Sequence, residues 1–156
     1  MITKTDKKFM AEAIALSKSA VEHGNEPFGA VLAKDGQIVY TNENQVHTQS
    51  DPTFHAELGL LRRFCHETGI TDLREYTLYS SCEPCFMCCG AMVWTQLGRL
   101  VYGASDDDLC RIFGHPGSAC CEMVFGADAS SHKPAVTAGV LRDEALAILT
   151  DYFGKN

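Results

Sequence analysis

The sequence lacks any apolar run of about 18 residues, so it predicts no transmembrane helix and no membrane partner. Its first residues, Met1 to Asp6, also lack the apolar stretch of a secretory signal peptide, and we therefore expect a cytoplasmic protein. Internal repeats, low-complexity tracts and linkers are absent as well. We expect residues 1–156 to form a single domain, which is long enough to bury a core without disulfides.

Basic residues are scarce in this chain. Thirteen Lys and Arg stand against 20 Asp and Glu, which gives a net charge of −7. Proteins that bind a phosphate backbone normally carry a basic face, so a nucleic-acid partner is not expected. Cysteine, by contrast, is abundant, with eight residues. In a chain without an export signal we expect these thiols to stay reduced.

The most informative pattern is split between His55-Ala56-Glu57 and Pro84-Cys85-Phe86-Met87-Cys88. Imidazole and thiolate groups are the ligands that tetrahedral zinc prefers, so His55, Cys85 and Cys88 are candidate ligands of one Zn²⁺ per subunit. Three protein ligands leave the fourth position open for a water, whose pKa falls to about 7 on the metal. Glu57 is then placed to move protons, and the combined pattern is a known signature of zinc deaminases.

A closed zinc site is the alternative interpretation of the same residues. Cys82 lies three residues before Cys85, so Cys82, Cys85, Cys88 and His55 could form a four-ligand structural site. The protein would then be a structural zinc-binding module that binds a partner. That interpretation gives the His-x-Glu pair no role, whereas the open site uses it.

Hydrophobic periodicity and turn residues predict alternating helices and strands. A helix is predicted over Asp6–His23 with Asp6 as its N-cap, and an irregular region is predicted after residue 102. The other predicted elements are a hairpin of Ala30–Leu32 with Ile38–Tyr40, a helix from His55, a strand Thr77–Ser80, a helix from Pro84 or Cys85 to Trp94, a strand Leu100–Tyr102, a strand Ala135–Val140 and a helix Asp143–Phe153. This order indicates a layered α/β sandwich.

The chain resembles the cytidine deaminase superfamily from about residue 10 to residue 103. Besides the zinc motifs, the resemblance rests on Pro27-Phe28-Gly29-Ala30-Val31, Asp51-Pro52-Thr53-Phe54-His55 and Cys89-Gly90-Ala91-Met92. It implies a three-layer α-β-α sandwich with a central mixed sheet of about five strands, and a homodimer. Within the superfamily the chain is similar to bacterial guanine deaminases and to tRNA adenosine deaminases.

The guanine deaminase resemblance implies a substrate and its contacts. Phe28 would stack on the purine, Asn44 would hydrogen-bond the base, and Trp94 would be a second pocket aromatic. The backbone N–H of Ala56 would hold a ring carbonyl oxygen, while Glu57 carries protons during hydrolysis of guanine to xanthine and ammonia. Asn44 could instead only order its own loop through an Asx turn.

The C-terminal third resembles tRNA adenosine deaminases instead, through His115-Pro116-Gly117 and Val136–Leu141. Guanine deaminases can swap a C-terminal segment between subunits and cap the pocket with a terminal aromatic residue. This sequence ends Tyr152-Phe153-Gly154-Lys155-Asn156, so no residue is assigned to a cap. The alternative substrates are therefore adenosine in tRNA, cytosine, a nucleoside, a pterin or a triazine.

Overall fold

The computed structural model describes residues 1–127 and 132–154 of the chain. Within these residues no helix combines the length and apolar character needed to cross a membrane. The elements, in chain order, are α1 (Lys4–Glu22), β1 (Gly29–Lys34), β2 (Gln37–Glu43), α2 (Val46–Gln49), α3 (Ala56–Thr68), β3 (Thr77–Cys82), α4 (Phe86–Trp94), β4 (Arg99–Ala104), α5 (Asp106–Ile112), α6 (Cys120–Gly126), β5 (Ala135–Thr137) and α7 (Arg142–Phe153).

The strands form one mixed sheet in the order β2-β1-β3-β4-β5. β1 runs antiparallel to β2 and β3, whereas β3, β4 and β5 are parallel. Asp35 and Gly36 join β1 to β2, and both have the positive φ that tight hairpin turns require. The parallel pairs need longer crossovers, which α4 provides between β3 and β4. The predicted mixed sheet of about five strands is confirmed in the part of the chain that the structure describes.

Alternation of side chains along the central strands produces the layers. One set of strand residues packs against α3 and α4, and the residues next to them pack against α1 on the opposite face. The first set is Leu32, Leu78 and Leu100, and the second is Val31, Tyr79 and Val101. Helix α6 lies against α4, and α7 lies against α1 and β4. The predicted three-layer α-β-α sandwich is therefore confirmed.

Helix α1 begins two residues before its predicted start. The N-cap is Thr3 and not Asp6, because Thr3 Oγ1 accepts the Asp6 N–H while the Asp6 carboxylate accepts the Thr3 N–H. This reciprocal pair is a capping box, in which the acidic residue stands at the third helical position. The sequence correctly indicated a capping residue near the start of α1. Asp6, however, is the third helical residue of the capping box, and Thr3 is its N-cap.

The region after β4 also differs from its prediction. It was expected to be irregular, yet it contains the seven-residue helices α5 and α6. Ser105 and Asp108 form a second capping box that starts α5. The last strand is shorter than predicted and ends at Thr137, since Gly139 and Leu141 adopt positive φ and turn the chain into α7.

Candidate metal centre and catalytic pocket

Three of the predicted site residues meet where α3 and α4 begin. His55 is the residue before α3, Cys85 is the residue before α4, and Cys88 lies in the first turn of α4. His55 Nδ1 is 3.5 Å from Cys85 Sγ and 3.7 Å from Cys88 Sγ. Tetrahedral zinc with ordinary Zn–N and Zn–S bonds places such atoms about 3.6 Å apart. The donor set and its spacing therefore fit a zinc ion.

The backbone explains why these side chains are available to a metal. His55 and Cys85 both have extended backbone angles, as N-cap residues do, but neither side chain bonds to its own helix. Both side chains are therefore free to converge on one point between the helices. Cys88 follows Cys85 by three residues and so faces the same side of α4.

The pKa values of the two thiols of this group are shifted in opposite directions. A hydrogen bond from Cys88 lowers the pKa of Cys85 to about 4, and the neighbouring His55 also favours the Cys85 thiolate. The same hydrogen bond and burial raise the pKa of Cys88. The Cys85 contact raises the pKa of His55. A thiolate beside a thiol and an imidazole is a donor set that suits a soft divalent cation.

Cys82 does not join this group. In the described residues, the cluster of ligand atoms that lie within 4.8 Å of one another consists of His55, Cys85 and Cys88. Cys82 is buried at the end of β3, and burial raises its pKa well above the usual range. The arrangement thus has three protein donors, which is the number found at catalytic zinc sites with an open position.

Glu57 lies beside the metal group in the first turn of α3. Its side chain is only 5% exposed, and its Oε1 is 3.0 Å from Ser80 Oγ on β3. Burial is the main reason that the pKa of Glu57 is raised. A carboxyl group with a raised pKa can take up and release a proton during a reaction.

The group opens into a cavity of about 290 Å³. Residues from both ends of the chain form its wall. They are Glu26, Phe28, Asn44, His55, Glu57, Cys82, Glu83, Cys85, Asp106, Leu109, Phe113 and Phe153. The structure thus brings Phe28 and Asn44 together with the metal group and Glu57, as expected for a substrate pocket.

Asn44 forms the Asx turn that the sequence allowed and also lines the pocket. Its Oδ1 accepts the N–H of Val46, which is an Asx turn, and its own N–H donates to the carbonyl of Phe28. With the oxygen engaged in the loop, the side-chain NH₂ is the group left to donate to a ligand. Asn44 is also buried, at 1% exposure, so its orientation is fixed by the loop.

Ala56 and Trp94 have very different positions. Ala56 is fully buried and is the first residue of α3, so its N–H has no acceptor within the helix and is free to face a ligand. Trp94 ends α4, is 88% exposed, and is not part of the pocket wall. Within one chain the structure does not bring Trp94 to the predicted site.

Several pocket residues were missed by the sequence reasoning. Phe153 near the end of α7 lies 6.2 Å from Phe28 between ring centroids, and Phe113 after α5 lies 5.2 Å from Phe153. Phe153 follows the inward-facing Leu149 by four residues, so helical spacing was the signal that could have found it. Lys155 and Asn156, where a terminal cap was sought, lie outside the described residues.

Comparison with known proteins agrees with this fold and site. The sequence model of the cytidine and deoxycytidylate deaminase zinc-binding region matches residues 3–104. The chain therefore belongs to the cytidine deaminase family of zinc-dependent hydrolytic deaminases. The family's zinc-binding region contains the His55, Cys85 and Cys88 group, so zinc is the cofactor that this group fits.

Two relatives from Bacillus subtilis (strain 168) match different lengths of the chain. A guanine deaminase is 42% identical over 101 residues, which are 64% of this chain and 65% of that protein. A tRNA-specific adenosine deaminase is 32% identical over 151 residues, which are 95% of this chain and 88% of that protein. The family is thus established, whereas the relatives have different substrates.

The solved structures that resemble this chain also include one from work on tRNA deaminases and one with a bound purine. One comes from a study of A-to-I editing by tRNA:A34 deaminases, with 32% identity, a TM-score of 0.77, and coverage of 90% of this chain and 98% of that chain. Another is the protein NE0047 in complex with 2,6-diaminopurine, with 28% identity, a TM-score of 0.82, and coverage of 96% and 82% respectively.

Proposed function

We propose that this protein is a guanine deaminase that hydrolyses the free base to xanthine and ammonia. The observation that carries the proposal is the 290 Å³ pocket, in which Phe28 and Asn44 face the metal group and Glu57. Ligand pockets usually measure about 300–1,000 Å³, so this one has the size for a small heterocycle. A single base fits such a space better than an anticodon loop does.

Each residue has a distinct role in the proposed reaction. His55, Cys85 and Cys88 hold zinc, which when bound supplies a water that is deprotonated near neutral pH. Glu57 would accept one proton of the attacking water and deliver it to the ring nitrogen, and would then carry the second proton of that water to the amino group, so that ammonia leaves and the ring carbon keeps the oxygen. The contact with Ser80 keeps the Glu57 carboxyl group in place during both transfers.

Recognition of the base follows from the remaining pocket groups. Phe28 and Phe153 offer aromatic faces on which a purine ring can stack. The Asn44 side-chain NH₂ and the Ala56 N–H are donors, and guanine presents a ring carbonyl oxygen and ring nitrogens as acceptors. A buried donor left without a partner costs about 1–3 kcal/mol, so the pocket favours rings that carry acceptors at these points.

Adenosine deamination in tRNA is the second candidate. The tRNA-specific deaminase of B. subtilis matches 95% of this chain, including the C-terminal third, whereas the guanine deaminase matches 64%. The net charge of −7 weakens this candidate, because a polyanion gains most of its affinity from basic residues. The small pocket weakens it further.

A cytoplasmic homodimer built from single-domain subunits is the proposed assembly. All eight cysteines are free thiols, as expected in a reducing compartment. Helix α4 contains no charged residue, and Phe86 and Trp94 on α4 and Met123 on α6 are exposed. Because α4 and α6 contact each other, these large apolar side chains support an interface on this face of the subunit. Trp94 could then contact a substrate only in a partner's pocket.

Ammonia release from a substrate panel tests the proposal. The panel contains guanine, guanosine, cytosine, a pterin, a triazine and a tRNA anticodon stem-loop. Guanine should be hydrolysed far faster than the stem-loop adenosine. Efficient stem-loop deamination with no reaction on guanine would replace the first candidate with the second.

Zinc content tests the proposed ligands separately from the substrate. Cys85→Ala should lose the metal, and Cys82→Ala should retain it, because Cys82 stands outside the donor cluster. Equal loss of zinc from the two variants would support the closed four-ligand site instead.

A further inference from the structure

Glu83 stands between the metal ligands and the two short helices that follow β4. Its Oε2 accepts the N–H of Asp106 at 2.8 Å, and its Oε1 accepts the N–H of Cys121 at 3.3 Å. Its own N–H donates to the carbonyl of Ala104 at 2.7 Å. One carboxylate thus fastens the first turns of α5 and α6 to the end of β3, and each of its oxygens holds a different helix.

Helix α5 matters because it supplies part of the pocket wall. Asp106 and Leu109 on α5, and Phe113 just after it, all line the cavity. A helix of seven residues is too short to be stable alone, so its position depends on contacts outside the helix. At its start the Asp106 N–H donates to Glu83, and the carboxylates of Asp106 and Asp107 accept the N–H groups of Ser118 and Gly117. Further along, the Asp108 carboxylate is held by Arg142 of α7.

We propose that Glu83 is a positioning residue that sets the width of the substrate pocket. It acts by holding α5, and thereby the wall made by Leu109 and Phe113, at a fixed distance from Phe28 and Asn44. The inference rests on the proposed function, since it assumes that a small base is deaminated in this cavity. Glu83 itself would neither bind zinc nor transfer a proton.

Glu83→Gln is the variant that tests the proposal with the smallest change in shape. A glutamine offers one oxygen acceptor and an NH₂ group, so it can accept only one of the two backbone N–H groups. Loss of a charge-assisted hydrogen bond should raise the KM for guanine about tenfold, with kcat changed less than about twofold. Zinc content should equal that of the wild type. Glu122→Gln, an exposed carboxylate on α6, is the matched control and should leave KM unchanged.

Two further measurements separate positioning from a general structural role. In Glu83→Gln, hydrogen exchange at the Asp106 and Cys121 amides should be faster, while exchange in α3 stays as in the wild type. In a Phe113→Ala background, Glu83→Gln should raise KM little further, because residues that act through one contact are not additive. Guanosine turnover relative to guanine should also rise as the wall moves outward.

The proposal is overturned if KM is unchanged, if the two substitutions are additive, or if Glu83→Gln loses zinc as Cys85→Ala does. Failure of the proposed function would be visible first in the wild-type protein, which would not deaminate guanine. The hydrogen-exchange measurement needs no substrate, so it tests the role of Glu83 whether or not the protein deaminates guanine.

Discussion

Asp6 and Glu57 are both buried carboxylates, yet they lie on opposite faces of the sheet and have opposite acidities. Asp6 is 1% exposed and is held by Arg99, whose guanidinium lies 2.8 and 3.0 Å from its two oxygens. The arginine is the main reason that the pKa of Asp6 is lowered. Glu57 is 5% exposed, and burial raises its pKa. Similar burial therefore gives one fixed charge and one group that can exchange a proton.

Neighbouring residues of β3 serve the two carboxylates. Tyr79 O–H donates to Asp6 at 2.8 Å on one face, and Ser80 Oγ approaches Glu57 at 3.0 Å on the other. Adjacent residues of a strand point to opposite faces, so a single strand supports both sites. The Asp6 carboxylate is paired with a cation and serves stability, whereas Glu57 has the Ser80 hydroxyl and the thiols and imidazole of the metal group as neighbours and is available for chemistry.

The largest expected effect comes from Glu57→Gln. The amide preserves the shape of the side chain and removes the proton carrier, so the deamination rate should fall about a hundredfold or more. Zinc content and unfolding free energy should stay near the wild-type values, and Glu67→Gln on the same helix should keep full activity. A Glu57→Gln enzyme with near-normal turnover would show that another group moves the proton.

Asp6→Asn should instead lower the stability of the protein and have little effect on kcat. Removing one partner of a buried pair should lower the unfolding free energy by about 3 kcal/mol, because Arg99 is 30% exposed and can be partly solvated. The pKa of Asp6 lies below its ordinary 3.8 in the folded state. Its contribution is therefore complete above about pH 5 and is lost progressively as the pH falls from about 4 through the lowered pKa of the folded state.

Denaturant unfolding of wild type and Asp6→Asn at pH 7 and at lower pH measures this difference. The gap between the two proteins should narrow as the solution becomes acidic. A gap that is independent of pH would mean that packing, and not the charge of Asp6, stabilises this region.

Ser80→Ala tests whether the Ser80 hydroxyl orients Glu57 on its face of the sheet. Without its hydroxyl contact, Glu57 should adopt more than one orientation, and kcat should fall about tenfold, as loss of one hydrogen bond to a carboxyl group allows. Steady-state kinetics together with zinc analysis checks this. An unchanged kcat would show that packing alone orients Glu57.

Tyr79→Phe is the smallest change and the counterpart of Ser80→Ala. It removes one hydrogen bond to Asp6 and leaves the Arg99 pair intact, so the unfolding free energy should fall by about 1 kcal/mol. Deamination kinetics at a temperature where both proteins are folded should not differ from the wild type. Reduced kcat in Tyr79→Phe would show that the two faces of the sheet are coupled.

Sequence patterns predicted the layers and the metal group well because both depend on local spacing. Two short apolar runs around the turn at Asp35-Gly36 indicate the hairpin, and the Cys85 to Cys88 interval indicates one helical face. The helices α5 and α6 were missed since each has seven residues, too few for hydrophobic periodicity to emerge. Asp6 was predicted to be the N-cap, because its two hydrogen bonds with Thr3 cannot be seen in the sequence.

The pocket wall was harder to predict than its catalytic centre. Phe113 and Phe153 reach the cavity through tertiary packing of α5 and α7, which no spacing near His55 or Cys85 encodes. Trp94 is a different case, because a family position suggested a contact that the end of α4 does not make within one chain. Its role stays a prediction that depends on the proposed dimer.

The contact between Phe28 and Phe153 has a consequence for protein synthesis. The metal donors all precede residue 89, so they emerge from the ribosome before α7 is synthesised. A nascent chain that has emerged only through α4 contains all three donors but still lacks the α7 wall of the pocket. The pocket is therefore completed after the metal donors, when Phe153 at the end of α7 packs against Phe28.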